Sequence, residues 1–475
     1  MIPFTRTKIV ATVGPASDTK EMLTALVKAG VNVFRLNFSH SNHEKHTSII
    51  KIIHDINHEL GTNVGILADL QGPKIRIGDV ENNEIELEKG DVVSLTIHPQ
   101  VSTRQLLYVS YEDLAKDVES GNRILIDDGK VELKVLSSNN EDEVKAEVIY
   151  GGIITANKGV NLPDTSISSP SLTPKDLRDL DFILTQNVNW IALSFVRTAH
   201  DIVKLKGVIE YKKHSARVVA KIEKPEAYNN LDEIIQVSDA IMVARGDLGV
   251  ELPLERIPVI QKDIVNRCIK AGRPVIIATQ MMESMTTSPT PTRAEITDVA
   301  TAMFDGADAL MLSGETARGK YPVKVIETLK KVIADVETQD VIYHGKLMPK
   351  KDSASYLSDM VCYTASQMAK AVEATSIIAM TSSGYTAFML SSFRPKCNIY
   401  VFTESEDLLN AVSLVWGTRA YLFHRSSNTE DTVRTIQDLL KKKGLIHRGE
   451  VVINTGSTPF NEKGPTNTVK LGVIH

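Results

Sequence analysis

At 475 residues the chain exceeds what one hydrophobic core usually organises, so more than one domain is expected. Its 42% hydrophobic and 24% charged residues are those of an ordinary soluble protein, and a net charge of −5 gives no reason to expect nucleic acid or an anionic membrane as partner. Three scattered cysteines (Cys268, Cys362, Cys397) lack metal-type spacing and suit a reducing cytoplasm; MIPFTRTKIV carries no secretion signal, and no run reaches the roughly 18 apolar residues of a membrane span.

The first strand-like run is KIVATVG (8–14), followed by the helix pattern KEMLTALVKAG. Next come VNVFRLNF (31–38), the helix pattern HTSIIKIIHDINHELG, and VGILADL (64–70). These runs are apolar almost throughout, as parallel strands covered on both faces are. The period then changes. EIELEKGDVVSLTI, RILIDDGKVELKVLS and EVKAEVIYGGIIT alternate and are broken by NN, DDG and GG turn signals. They predict a small all-β domain, a β-barrel, inserted over 72–170 and ending at the Pro- and Ser-rich LPDTSISSPSLTPKD. Apolar runs resume at WIALSFV (190–196), RVVAKIE (217–223), AIMVAR (240–245), PVIIAT (274–279) and ALMLS (309–313). Eight strand–helix units predict a TIM (β/α)8 barrel over 1–71 and 171–345, with an open doubly wound sheet as the competing architecture. After 345, one helix pattern and the runs SIIAMTS, NIYVFTE, AYLF, EVVINTG and TVKLGVI predict a separate α/β domain over 346–475.

Polar residues cluster at the C-terminal ends of the barrel runs, where a barrel builds its site. Period two places Arg35, Asn37 and Ser39 on one face of FRLNFS, and Lys221 with Glu223 on one face of AKIEK. Asp69, Asp247 and Thr279 lie at equivalent ends, and Arg76 follows the Gly72-Pro73 turn. Glu223 and Asp247 are hard oxygen ligands suited to Mg²⁺ or Mn²⁺. Arg35, Arg76 and Lys221 suit phosphate, and Gly246 lets a backbone N–H approach an anion. Together they point to phosphoryl transfer, which depends on positioning and charge neutralisation. Other features read as structural. GETARGK (314–320) has P-loop spacing, but Tyr321 stands where Ser or Thr should bind Mg²⁺. His43 and His46 of HSNHEKH read as solvated first-turn residues, KKK (441–443) as a solvated helix end, and Met281, Met282 and Met285 as packing.

TKIVATVGPAS, VFRLNFSH, DLQGPKIR, AKIEKPEA, VARGDLGVE, ATQMMESM and TRAEITDVATAMFDGADALMLSGETARGKYP together resemble the pyruvate kinase family over essentially the whole chain. The resemblance implies transfer of the phosphoryl group of phosphoenolpyruvate to ADP, giving pyruvate and ATP. It implies that Lys221 stabilises the transferring group and the enolate, that Arg35 binds the phosphate, and that Glu223 and Asp247 hold Mg²⁺. It assigns the substrate carboxylate to Gly246, Asp247 and Thr279, and the nucleotide side to Asn37, Ser39, His40 and Arg76. It makes the inserted domain a lid. Its TxSGxT/S loop, a phosphate site for a sugar-phosphate activator, matches Thr381, Ser382, Ser383, Gly384 and Thr386; Tyr385 replaces a frequent arginine, and Lys463 is the nearby cation. It implies a cytoplasmic homotetramer. The family's usual K⁺ slot corresponds to Asn37, Ser39, Asp69 and residue 70, in a DTKGPEIR-type motif. Here Leu70 and Lys74 depart from that motif, so Lys74 is expected to act as a built-in cation and K⁺ not to be required. Thr198 and Thr290 stand where lysine and arginine are frequent. An aldolase or lyase on the same barrel would need neither the nucleotide-facing cations nor the lid, and a silent sugar-phosphate binder would be expected to have lost Lys221 or Glu223.

Overall fold

The computed structural model describes residues 4–343, 345, 347–423, 429–458 and 464–475. Eight parallel strands close into a barrel: β1 (Lys8–Thr12), β2 (Val33–Asn37), β3 (Gly65–Asp69), β4 (Trp190–Leu193), β5 (Arg217–Ile222), β6 (Ala240–Ala244), β7 (Val275–Ala278) and β8 (Ala309–Leu312). Closure excludes the open doubly wound alternative. All but a few of the strand residues are buried, because helices cover the outer face and side chains fill the interior. Side chains capping their own helices fix several of these covering segments. Thr19 and Asn42 accept N–H bonds at the starts of Lys20–Ala29 and His43–Leu60, while Thr173 with Asp176 and Thr292 with Glu295 form capping boxes.

Two apolar layers result. One lies between strands and helices, and includes Phe34, Ile66, Ile191, Val218 and Ile241. The other fills the barrel with Val10, Val33, Leu67, Trp190, Val219, Met242 and Ile276, and continues without a break into Leu414, Val412 and Phe388 of the C-terminal region. That region therefore closes the N-terminal end of the barrel, and Trp190 Nε1 donates to the Ala411 carbonyl at 3.3 Å. Its own sheet runs in the order Thr418–Leu422, Asn398–Thr403, Ser376–Met380, Val451–Gly456, Thr468–Val473, with only the last strand antiparallel.

Between β3 and β4 the alternating segments pair as a six-stranded sheet and a separate two-stranded ribbon, Glu84–Leu87 with Gly152–Thr155, rather than as one closed barrel. They share a core of their own, built from residues such as Ile77, Leu95, Leu107, Leu133 and Val148. Of the two histidines read as solvated, His46 is buried, whereas 43% of the His43 side chain stays exposed. His43 stacks on Phe182 at 4.2 Å and pairs with Asp179 at 2.8 Å, and His46 is buried against Phe38. The apolar faces of these rings cover a helix–barrel seam that the sequence pattern does not reveal. Met281, Met282 and Met285 are buried as packing, and GETARGK begins with the four-residue helix Gly314–Ala317 behind β8. Lys463 lies outside the described residues.

Candidate active site

The strand register brings the polar ends together. Asn37 is level with Asp69, and Asp69 with Ala192, so β2 and β3 end at one height, one residue short of the end of β4. Asp69 is 1% exposed and caged by cations: Arg35 Nε lies 2.6 Å from Oδ2 and Lys221 Nζ 3.3 Å from Oδ1. Burial works against the Asp69 charge, but Lys221 and Arg35 hold its carboxyl below the ordinary range. Lys221 Nζ lies 2.9 Å from Glu223 Oε1 and donates to Ser194 Oγ at 2.6 Å. Burial disfavours that ammonium too. Asp69 and Glu223 outweigh it and keep Lys221 protonated well beyond neutral pH.

Glu223 Oε2 accepts the Phe195 N–H at 2.7 Å. Burial raises the Glu223 pKa, and the charge of Asp247 pushes the same way. Two hard carboxylates that repel each other at the mouth of a cleft fit a divalent cation, which would relieve the repulsion and take its remaining ligands from substrate and water. Asp247 sits in the first turn of Arg245–Glu251, a helix that starts directly from β6. Gly246 N–H donates to Thr279 Oγ1 at 2.7 Å, and Thr279 Oγ1 donates to the Ala278 carbonyl at 2.6 Å. Thr279 and Gln280 have φ of 70° and 55°, a left-handed stretch that side-chain residues occupy only where surroundings enforce it. Arg245 does so. It donates to the Thr279 carbonyl at 2.8 Å and pairs with Asp298 at 2.7 Å.

A cleft of about 130 Å³ joins Arg35, Asn37, Ser39, His40, Leu70, Lys74, Arg76, Lys221, Glu223 and Asp247. Thr279 does not line it and stands beside it through Gly246. His40 is held neutral to lower pH, by partial burial first and then by Arg76, Arg35, Lys74 and Lys175. That ring of charge marks an anion-binding mouth. The face expected to carry Arg35, Asn37 and Ser39 is interrupted, because β2 ends at Asn37 and Asn37 Oδ1 accepts the Ser39 N–H at 3.1 Å. The Leu70 side chain is buried, and its carbonyl accepts the Ser194 hydroxyl at 2.7 Å. Gly72 has φ 69°, and a Cβ there would stand 2.8 Å from the Phe195 ring, so this turn requires glycine. Arg76 reaches the Asn157 carbonyl in the inserted sheet region at 2.8 Å.

Three groups escaped the sequence reading: Ser194, Phe195 and Arg245. The first two close an apolar run, and nothing in ARGDLG sets Arg245 apart from the residues around it. Thr198, which stands where lysine is frequent, caps Ala199–Tyr211 with Asp201. Arg197 beside it ties the Ile167 and Ser169 carbonyls of the return segment.

A cation cage at the C-terminal mouth of a closed parallel barrel, flanked by two hard carboxylates, defines a barrel phosphotransferase. The family models for "Pyruvate kinase, barrel domain" and "Pyruvate kinase, alpha/beta domain" match residues 4–326 and 359–471. The chain is 42% identical to pyruvate kinase 2 of Synechocystis sp. over 99% of its length and 79% of that protein, and 40% identical to the pyruvate kinase of Staphylococcus haemolyticus over 99% and 80%. It superposes on the crystal structure of a pyruvate kinase from Cryptosporidium parvum with a TM-score of 0.92 and 34% identity, covering 99% of this chain and 96% of that one. The chain belongs to the pyruvate kinase family. Its reaction is phosphoryl transfer from phosphoenolpyruvate to ADP, yielding pyruvate and ATP.

Proposed function

We propose that Lys221 is the cation that steadies the transferring phosphoryl group and the developing enolate oxygen, with Arg35 on the same phosphate. The supporting observation is the Lys221 ammonium held between Asp69, Glu223 and Ser194 at the barrel mouth. Such a charge is preorganised and costs no reorganisation during transfer. Glu223 and Asp247 would hold Mg²⁺ or Mn²⁺, which when bound neutralises charge between the substrate carboxylate and phosphate. Gly246, Asp247 and Thr279 bind that carboxylate, and Thr279 stands near the face where carbon three gains a proton from water. Asn37, Ser39, His40 and Arg76 face ADP. Residues 72–170 close over the site and exclude water that would intercept the phosphoryl group.

Lys74 replaces K⁺ in the slot formed by Asn37, Ser39, Asp69 and Leu70. Supporting this, Lys74 lines the same cleft as Asn37, Ser39 and Leu70, while Arg35 and Lys221 already compensate the charge of Asp69 and Ser194 engages the Leu70 carbonyl. The loop Thr381, Ser382, Ser383, Gly384 and Thr386 takes a phosphorylated effector. The enzyme works in the cytoplasm as a homotetramer. The test of the central assignment is Lys221→Met. Turnover is expected to fall by about 10²–10³ or more, with Mn²⁺ binding retained and the fold unchanged by circular dichroism. Near wild-type turnover would remove Lys221 from this role.

A further inference from the structure

One buried carboxylate outside the reacting groups ties the inserted domain to both segments that carry the acidic pair. Glu251 ends the helix Arg245–Glu251, whose first turn carries Asp247. Its side chain is 2% exposed, and Oε1 accepts both Lys224 Nζ at 2.6 Å and Asn161 Nδ2 at 2.9 Å. Lys224 directly follows Glu223 and precedes the helix Pro225–Asn229. Asn161 closes the last strand of the insert, where the chain turns back toward the barrel, and is paired there with Leu125.

A buried ion pair contributes little net stability against an apolar replacement of similar volume, so its retention calls for another reason. Here one oxygen collects three segments. Asp247 lies one helical turn from Glu251, Glu223 is the immediate neighbour of Lys224, and Asn161 is the insert's own contact. A single hydrogen bond from the uncharged Asn161 amide to that carboxylate permits rotation in a way that a second ion pair would resist. We propose that Glu251 is the pivot of the enzyme: Asn161 hinges the lid on it, while Lys224 locks the spacing of Glu223 and Asp247 through it. All three are positioning residues. The proposal rests on reading Glu223 and Asp247 as metal ligands and 72–170 as the lid.

The test uses the full chain, with steady-state kinetics, Mn²⁺ affinity by electron paramagnetic resonance, and hydrogen–deuterium exchange across 72–80 and 158–171. Asn161→Asp sets a like charge against Glu251. It is expected to lower kcat and raise the KM for ADP, each by about ten-fold, the usual effect of losing an orienting group, and to speed exchange at both crossings with Mn²⁺ affinity unchanged. Asn161→Ala should move the same readouts less. Lys224→Met is expected to weaken Mn²⁺ about ten-fold, and Lys224→Arg, which keeps the charge, to recover most of it. Should Lys224→Met not fold, Lys224→Met with Glu251→Leu removes the pair as a unit and is expected to show the same Mn²⁺ loss. Wild-type kinetics and exchange in Asn161→Asp would overturn the hinge. Wild-type Mn²⁺ affinity in folded Lys224→Met, or in the double variant where that one does not fold, would overturn the lock. Glu223→Gln serves as control: if it binds Mn²⁺ normally, the ligand assignment fails, while the exchange data still judge the hinge.

Discussion

At the scale of single residues, the chemistry turns on which cation neutralises which carboxylate. The DLQGPKIR motif places Lys74 in the same cleft as Asn37, Ser39 and Leu70. Asp69 and Lys74 share that motif, yet the partners of Asp69 are Arg35 and Lys221, from β2 and β5. Residues close in sequence were visible as a motif. Pairings across strands were not, because they depend on register. Ser194 and Phe195 were missed for the same reason: a serine and an aromatic ending an apolar run carry no signal until Lys221 and Glu223 arrive from the neighbouring strand. A further cation placed about 4 Å from the Lys74 ammonium would be repelled by about 4 kcal/mol at an effective dielectric of 20. Activity is therefore expected to persist when all K⁺ and NH₄⁺ are replaced by a tetraalkylammonium salt at constant ionic strength. A large loss that K⁺ restores would refute the built-in cation. Lys74→Glu with Leu70→Thr should conversely create K⁺ dependence in a folded protein.

At the scale of elements, period and turn chemistry carried most of the fold. Eight apolar runs became eight strands, and the switch to alternation marked the insert, because a parallel strand is covered twice and the insert's sheet only once. Alternation could not distinguish one closed barrel from a sheet plus a ribbon, since both bury one face. The loop after Ser376–Met380 shows how local chemistry builds a site. Gly384, at φ 88°, starts the helix Tyr385–Ser392, its N–H donates to Thr381 Oγ1 at 2.9 Å, and Thr386 meets Thr466 at 2.5 Å. A cavity of about 420 Å³ opens there, lined by Thr381, Ser382, Ser383 and Ser457. Tyr385, in place of a frequent arginine, turns to Asp359. On the proposed reading, recognition would rely on hydroxyls and N–H groups at a helix start, which favour a phosphate without strong selection for the sugar. Titration of a panel of sugar phosphates and nucleotides is expected to shift the KM for phosphoenolpyruvate, and Ser383→Asp, which sets a carboxylate against the anion, to abolish the shift. Kinetics unmoved by every compound would leave the loop as a helix start alone.

At the scale of the whole molecule, the barrel floor and the C-terminal domain form one core, a relation no local pattern encodes because Trp190 and Ala411 are distant in sequence. Lys8 lies in that seam. It begins β1, is 3% exposed, donates to the Thr418 carbonyl at 2.8 Å, and has its ammonium 4.8 Å from the centre of the Phe4 ring. Burial lowers its pKa to about 7; Glu337 and Asp308 pull upward, Arg419 and Arg6 downward. In the unfolded chain Lys8 keeps its proton to about pH 10.4. Between these values the unfolded state binds more protons, so the Lys8 contribution to stability rises with pH and is constant below about 7. The rise is at most about 1.4 kcal/mol per pH unit. Lys8→Met removes the titration and takes the Lys8 donor from the Thr418 carbonyl at every pH. The stability difference between wild type and Lys8→Met, from urea melts at pH 6 to 9.5, is therefore expected to be flat up to about pH 7 and then to grow in favour of wild type. A difference independent of pH across that range would mean that Lys8 stays charged in the seam, with the Thr418 carbonyl and the Phe4 ring sufficient to hold its ammonium there.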